Sequence, residues 1–94
     1  MRFDWDDDKE KFNIEKHSID FSTAALVFGD INRIEKFDEF HSDNEDRYIT
    51  IGQINGVSVV VMVVYTMRKT LTRIISARLA TKRERDAYYN AKNY

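Results

Sequence analysis

The sequence predicts an α+β domain: a small antiparallel meander with two N-terminal helices and one C-terminal helix. Three observations lead there. The chain is 94 residues, one domain's worth, and 43% hydrophobic side chains suffice for a single core. Asn55-Gly56 stands between two strand-like runs and is the strongest two-residue hairpin signal, because both turn positions need positive φ. Val57 to Tyr65 is nearly continuous in β-branched residues, which predicts a central strand buried on both faces.

The elements follow in order. Arg2-Phe3-Asp4-Trp5 alternates polar and apolar, as a half-buried strand does. Asp6-Asp7-Asp8 offers an N-cap and two acids for a helix running to Lys16 or His17, where cations suit the dipole. Phe21, Ala24, Ala25 and Phe28 form the apolar stripe of a second short helix, with Gly29 as its stop. Residues 33–37 read as a weak strand and 38–46 as a polar loop. Strands are expected over Tyr48 to Ile54, Val57 to Thr66 and Leu71 to Ala77, with a turn at 67–70. Thr81 and Glu84 have the spacing of a capping box that opens the last helix. Helices are expected on one side of the sheet. With no proline and three glycines there is no linker, so residues 1–94 read as one domain.

Composition excludes much chemistry. The absence of cysteine removes disulfides, thiolate zinc sites and cysteine nucleophiles. No apolar run approaches the roughly 20 residues of a membrane span, and the acidic start lacks a signal-peptide stretch, so a cytoplasmic protein is expected. Phosphate-cradling, dinucleotide, zinc-protease and EF-hand motifs are missing, and the serines sit in no nucleophile elbow. Two histidines, His17 and His41, and no cysteine argue against a transition-metal site, and 41–45 reads as solvated loop polarity. No metal and no cofactor are expected.

Charge is polarised along the chain. Residues 1–46 carry six Lys/Arg against fourteen Asp/Glu, and residues 47–94 carry nine against two. Either the halves pair with each other on folding or the second half presents a basic surface to a polyanion. Phosphate-directed chemistry is the best remaining option, since arginine grips phosphate oxygens with two parallel hydrogen bonds. Strand parity puts Arg73 with Leu71, Ile75 and Ala77 on one face, and Arg78 with Thr72, Ile74 and Ser76 on the other. The plainer reading has Arg73 snorkelling from the strand and Arg83 and Arg85 as solvated helix charges.

Phe3, Trp5-Asp6, Lys9, Asn13, Lys16-His17, Phe21, Val27-Phe28, Asp30, His41, Glu45, Arg47, Gly52, Arg73-Ile74-Ile75-Ser76-Ala77-Arg78, Ala80, Glu84-Arg85 and Tyr88 together resemble the BrnT toxin family. The resemblance spans positions 3 to 88. It implies a RelE-like fold and a ribonuclease that arrests translation as the toxin of a type II toxin–antitoxin pair. The implied partner is BrnA, a ribbon-helix-helix antitoxin that neutralises the toxin, so that DNA is met only through the antitoxin. Two positions depart from the family pattern: Ser18 stands where many relatives have glycine, and Met67 where they often have glutamate.

A metal-independent endoribonuclease follows as the expectation, with the ribose 2′-OH attacking the adjacent phosphate. Arg78 is the first choice for stabilising the phosphate, followed by Arg68 and Arg85. His17 is the candidate for proton transfer, or else a helix C-cap. Glu84 is a candidate base, though the capping box also accounts for it. Lys69, Arg73, Lys82 and Arg83 are expected to bind RNA. The alternative is a non-catalytic RNA- or partner-binding module on the same basic face.

Overall fold

A computed structural model describes residues 1–54 and 57–92. The elements are β1 (Arg2–Trp5), α1 (Asp7–His17), α2 (Phe21–Ala25), a 3-10 turn (Leu26–Gly29), β2 (Ile34–Phe37), β3 (Arg47–Gln53), β4 (Val60–Arg68), β5 (Leu71–Leu79) and α3 (Lys82–Lys92). They form one sheet in the order β1-β5-β4-β3-β2. From β2 to β5 the sheet is the expected antiparallel meander, with β4 at its centre. The first strand corrects that picture: β1 pairs parallel with β5, Phe3 opposite Thr72 and Trp5 opposite Ile74. The sheet is therefore mixed. Asn55-Gly56 lies outside the described residues, although the two strands it separates are antiparallel neighbours.

Local chemistry sets the helix ends. Asp6 caps α1, its carboxylate accepting the Lys9 amide at 3.0 Å, and Asp7, Asp8 and Glu10 fill the first turn. The helix ends at Ser18, whose φ of 59° is left-handed and whose amide donates to the Ile14 carbonyl. A serine here takes the conformation that glycine adopts freely. Ser18→Gly is expected to stabilise the fold by about 0.5–1 kcal/mol, read as a higher urea midpoint at unchanged m. The Thr81–Glu84 capping box forms as expected, with both reciprocal hydrogen bonds, at 2.8 and 3.2 Å. The second helix is shorter than its stripe suggested, tightening into the 3-10 turn after Ala25, yet Phe21, Ala24 and Phe28 are all buried.

Helices flank both faces of the sheet, not one. On one face α2 and the 3-10 turn bury Phe21, Ala24, Val27 and Phe28 against Val61, Val63, Tyr65, Ile74 and Ala77. On the other, Ala80 and Tyr88 cover Ile51, Val60 and Met62. The period-2 alternation of β3 and β4 supplies an apolar surface to each.

Tyr88 ties α3 down. Burial, then the hydrogen bond to Asp30 and the charge on that carboxylate, raise its phenol and keep the proton it donates to Asp30. Asp30 also accepts the Gln53 amide at 2.8 Å. Gly52 makes room for this contact, since a Cβ there would lie 3.0 Å from Asp30 Oδ2 and 2.9 Å from Arg33 Cβ.

One irregularity decides which face the functional side chains share. Val64 pairs with Ser76 but Tyr65 pairs with Ile74, leaving Ile75 as an extra residue. The buried positions of β5 are accordingly Thr72, Ile74 and Ala77, two apart and then three. Strict parity would put Arg73 and Arg78 on opposite faces. The bulge corrects this and places both on the face of Met62, Val64 and Thr66.

Candidate functional site

The face that α3 leaves partly open carries a trough. Its floor is Met62, Ile75, Ser76 and Arg78, shared by two adjoining cavities of about 510 and 440 Å³. One wall is α1, which contributes Lys9, Phe12, Lys16 and His17. The other is the loop before β3, contributing Asp38, Phe40 and His41, together with Arg47 at the start of that strand. The α1 wall is held by a side chain that imitates a strand. Beyond Trp5, β1 no longer covers β5, and there Asn13 donates to the Ala77 carbonyl and accepts the Ala77 amide, at 2.9 and 3.0 Å. The Asn13 side-chain amide also donates to the Ile19 carbonyl.

Arg78 sits between the two cavities, the last residue but one of β5. Its guanidinium makes two parallel bonds to Glu84, at 2.8 and 3.0 Å. Glu84 meanwhile accepts the Thr81 amide. Burial pushes the Glu84 carboxyl up, but the Arg78 hydrogen bonds, the Thr81 hydrogen bonds and the arginine charge outweigh it, so the net shift is down. The capping box therefore also aims an arginine: one carboxylate starts the helix and fixes a cation over the sheet.

Of the residues singled out from sequence, Arg78 and His17 line a common cavity. Glu84 joins them through Arg78. His17 is the last residue of α1, while Ser18 caps it. The others are dispersed. Arg68 pairs with Leu71 at the hairpin end, seven steps of β5 from Arg78, roughly 23 Å at about 3.3 Å per residue. There it approaches Glu45 at 3.3 Å, beside Lys69 in the turn. Arg73 binds Asp4 at 2.9 Å. These two contacts pair the basic half with the acidic one, whereas Lys82 bonds Asp86 within its own helix. Arg85 donates to the Ala80 carbonyl, and Arg83 lines a separate hollow beside Ile34 and Lys36.

Sequence reasoning passed over four residues at the trough. Lys9 and Lys16 belong to the acidic half, where a charge tally hides them. Arg47 stands at the start of β3, its Nε buried with no hydrogen-bond partner among the described residues. His41 looked like loop polarity. The signal that could have found it is the Asp38-x-x-His41 spacing followed by Ser42, a pattern that favours a closed polar turn. Among the described residues no group of three or more His, Cys, Asp or Glu could hold a metal ion, and no helix is long and apolar enough to cross a membrane.

No curated protein matches the chain. The crystal structure of the Brucella abortus ribonuclease toxin BrnT is 26% identical with a TM-score of 0.64, covering 87% of this chain and 99% of that one. A family model described as the ribonuclease toxin BrnT of type II toxin–antitoxin systems matches residues 5–84. That match takes in both walls of the trough, its floor and the Arg78–Glu84 pair, and the chain belongs to the BrnT family of ribonuclease toxins.

Proposed function

We propose that this chain is a metal-independent RNA endonuclease that arrests translation and is neutralised by a ribbon-helix-helix antitoxin of the BrnA kind. The observation that carries the reading is Arg78, an always-charged fork held at the floor of a trough with His17 on its wall. A scissile phosphate seated on Arg78 meets a cation already oriented, so the charge that builds on its oxygens costs little reorganisation. His17 exchanges a proton with the reacting oxygens. Glu84, ionised and engaged on both oxygens, serves as the positioning residue for Arg78 and not as a base. Lys9, Lys16 and Arg47 gather phosphates on either side. Arg68, Lys69 and Arg73 meet the strand farther along β5, and Lys82, Arg83 and Arg85 meet it at the start of α3.

The antitoxin acts most simply by covering the trough, where its acidic or amphipathic segment competes with RNA for the same cations. Expression of the chain alone should arrest growth, and co-expression with the antitoxin should relieve the arrest. Cleaved RNA should carry 2′,3′-cyclic phosphate or 3′-phosphate ends, and cleavage should persist in EDTA. Activity lost in chelator and restored by magnesium would replace this mechanism with metal-assisted hydrolysis. Tight RNA binding without cleavage or growth arrest would make the chain a binding module.

A further inference from the structure

Attack by a 2′-OH on its own phosphate needs two proton carriers. As the bond from O2′ to phosphorus forms, the hydroxyl proton must leave. As the bond from phosphorus to O5′ breaks, that oxygen must receive one. Attacking and leaving oxygens stand in line, so the two carriers belong on opposite sides of the phosphate. With Arg78 as the phosphate site, His17 occupies one side and leaves the other role unfilled.

We propose that His41, oriented by Asp38, is the general base of this reaction. The inference rests on the reading of Arg78 given above. His41 stands on the wall opposite His17, and the two histidines share the floor that holds Arg78. Its Nδ1 lies 3.1 and 3.0 Å from the two carboxylate oxygens of Asp38. A carboxylate only accepts, so this contact favours, for a neutral imidazole, the tautomer with the hydrogen on Nδ1 and the lone pair on Nε2. Asp38 is 6% exposed, while the His41 side chain is 69% exposed. A buried acid under an accessible imidazole is the arrangement that fixes a tautomer and supports the imidazolium once it forms.

The backbone of Asp38 is itself anchored. The Asp38 amide donates to the Arg47 carbonyl, and the Asp38 carbonyl accepts the Ser42 hydroxyl at 2.6 Å. The loop is thus stapled to the first residue of β3. In the step, His41 Nε2 accepts the 2′-OH proton while O2′ bonds to phosphorus. The bond to O5′ breaks, and His17 gives its proton to that oxygen. The products are a 2′,3′-cyclic phosphate and a 5′-hydroxyl, and both histidines reset by exchange with water.

The test measures cleavage of a mixed-sequence single-stranded RNA, free and in a translating extract, by the purified full chain and four variants. His41→Ala should lose at least about a hundredfold in rate while circular dichroism shows it folded at the assay temperature, and added imidazole should restore part of the rate. His41→Gln keeps a donor for Asp38 but cannot carry the proton, so it should be as slow as His41→Ala. Asp38→Asn should lower kcat with little change in KM and gain nothing from imidazole. Arg78→Ala should be slow and equally deaf to imidazole. Cleavage by His41→Ala within threefold of the parent overturns the proposal, as does a slow His41→Ala that imidazole leaves unchanged. Arg78→Ala cleaving at the parental rate overturns the phosphate reading instead, and a parent that cuts no RNA overturns both.

Discussion

Arg78→Ala is expected to slow RNA cleavage by about 10²–10³-fold, the usual consequence of removing one preorganised group that meets developing charge. The variant should still fold. Its side chain is a third exposed and its one carboxylate partner stays engaged by the Thr81 amide, so α3 keeps its start. Arg78→Lys should recover only part of the rate, because a single ammonium cannot make two parallel bonds. Rates on a defined RNA, with circular dichroism on the same samples, decide the matter; parental cleavage by Arg78→Ala would make the residue structural. The pair also predicts a pH effect of fixed sign. Burial raises the Glu84 carboxyl, the arginine and the capping bonds lower it further, and its folded value therefore lies below the unfolded one. The resulting stability is present above the ordinary carboxylate range and is lost as pH falls through the lowered value. Arg78→Ala should flatten that acid limb.

Asn13→Ala is expected to be the most destabilising single change in α1, at about 3 kcal/mol, because it strands buried partners instead of merely deleting a contact. Asn13 is 3% exposed and serves three backbone groups, the amide and carbonyl of Ala77 and the carbonyl of Ile19. Alanine leaves all three without the bond, and the two groups of Ala77 are buried away from water. Asp cannot substitute, since it keeps the acceptor for the Ala77 amide but turns an acceptor toward two carbonyls. For a domain of this size the loss should lower Tm by more than about 10 °C. Equilibrium unfolding in urea measures it directly, and a loss under about 1 kcal/mol would mean that α1 is held by other contacts. Cleavage should fall as well at temperatures where the chain remains folded, because α1 carries His17.

Much of the fold was legible because its signals are local. The Asp6 cap and the Thr81–Glu84 box each involve neighbours in sequence and stand where expected. The β-branched run does give the central strand, but that strand starts at Val60 and not at Val57, and Val57 and Val59 are exposed. The pairing of β1 with β5 was not legible, since nothing in four residues announces a partner some seventy positions away. The bulge at Ile75 was hidden for a related reason: a one-residue misfit between strands has no composition of its own. The site was legible in part. Arg78 could be nominated by residue type and place, but its partner Glu84 looked fully explained by helix capping, and the structure gives that carboxylate both tasks. Summing charge by halves of the chain concealed Lys9 and Lys16, which cross to the basic side only in three dimensions.

The bulge in β5 also divides the ways in which this surface can change over generations. Substitution at position 78 alters what meets the phosphate, but no substitution alters which way position 78 points. That direction depends on the number of residues between the hairpin and the trough, in the way that a reading frame depends on nucleotide count. Losing or gaining one residue near Ile75 would turn Ser76 and Arg78 toward the aromatic core and present Ala77 to the trough in their place. Chemistry at this face can therefore drift by single replacements, while its orientation changes only by insertion or deletion, all at once.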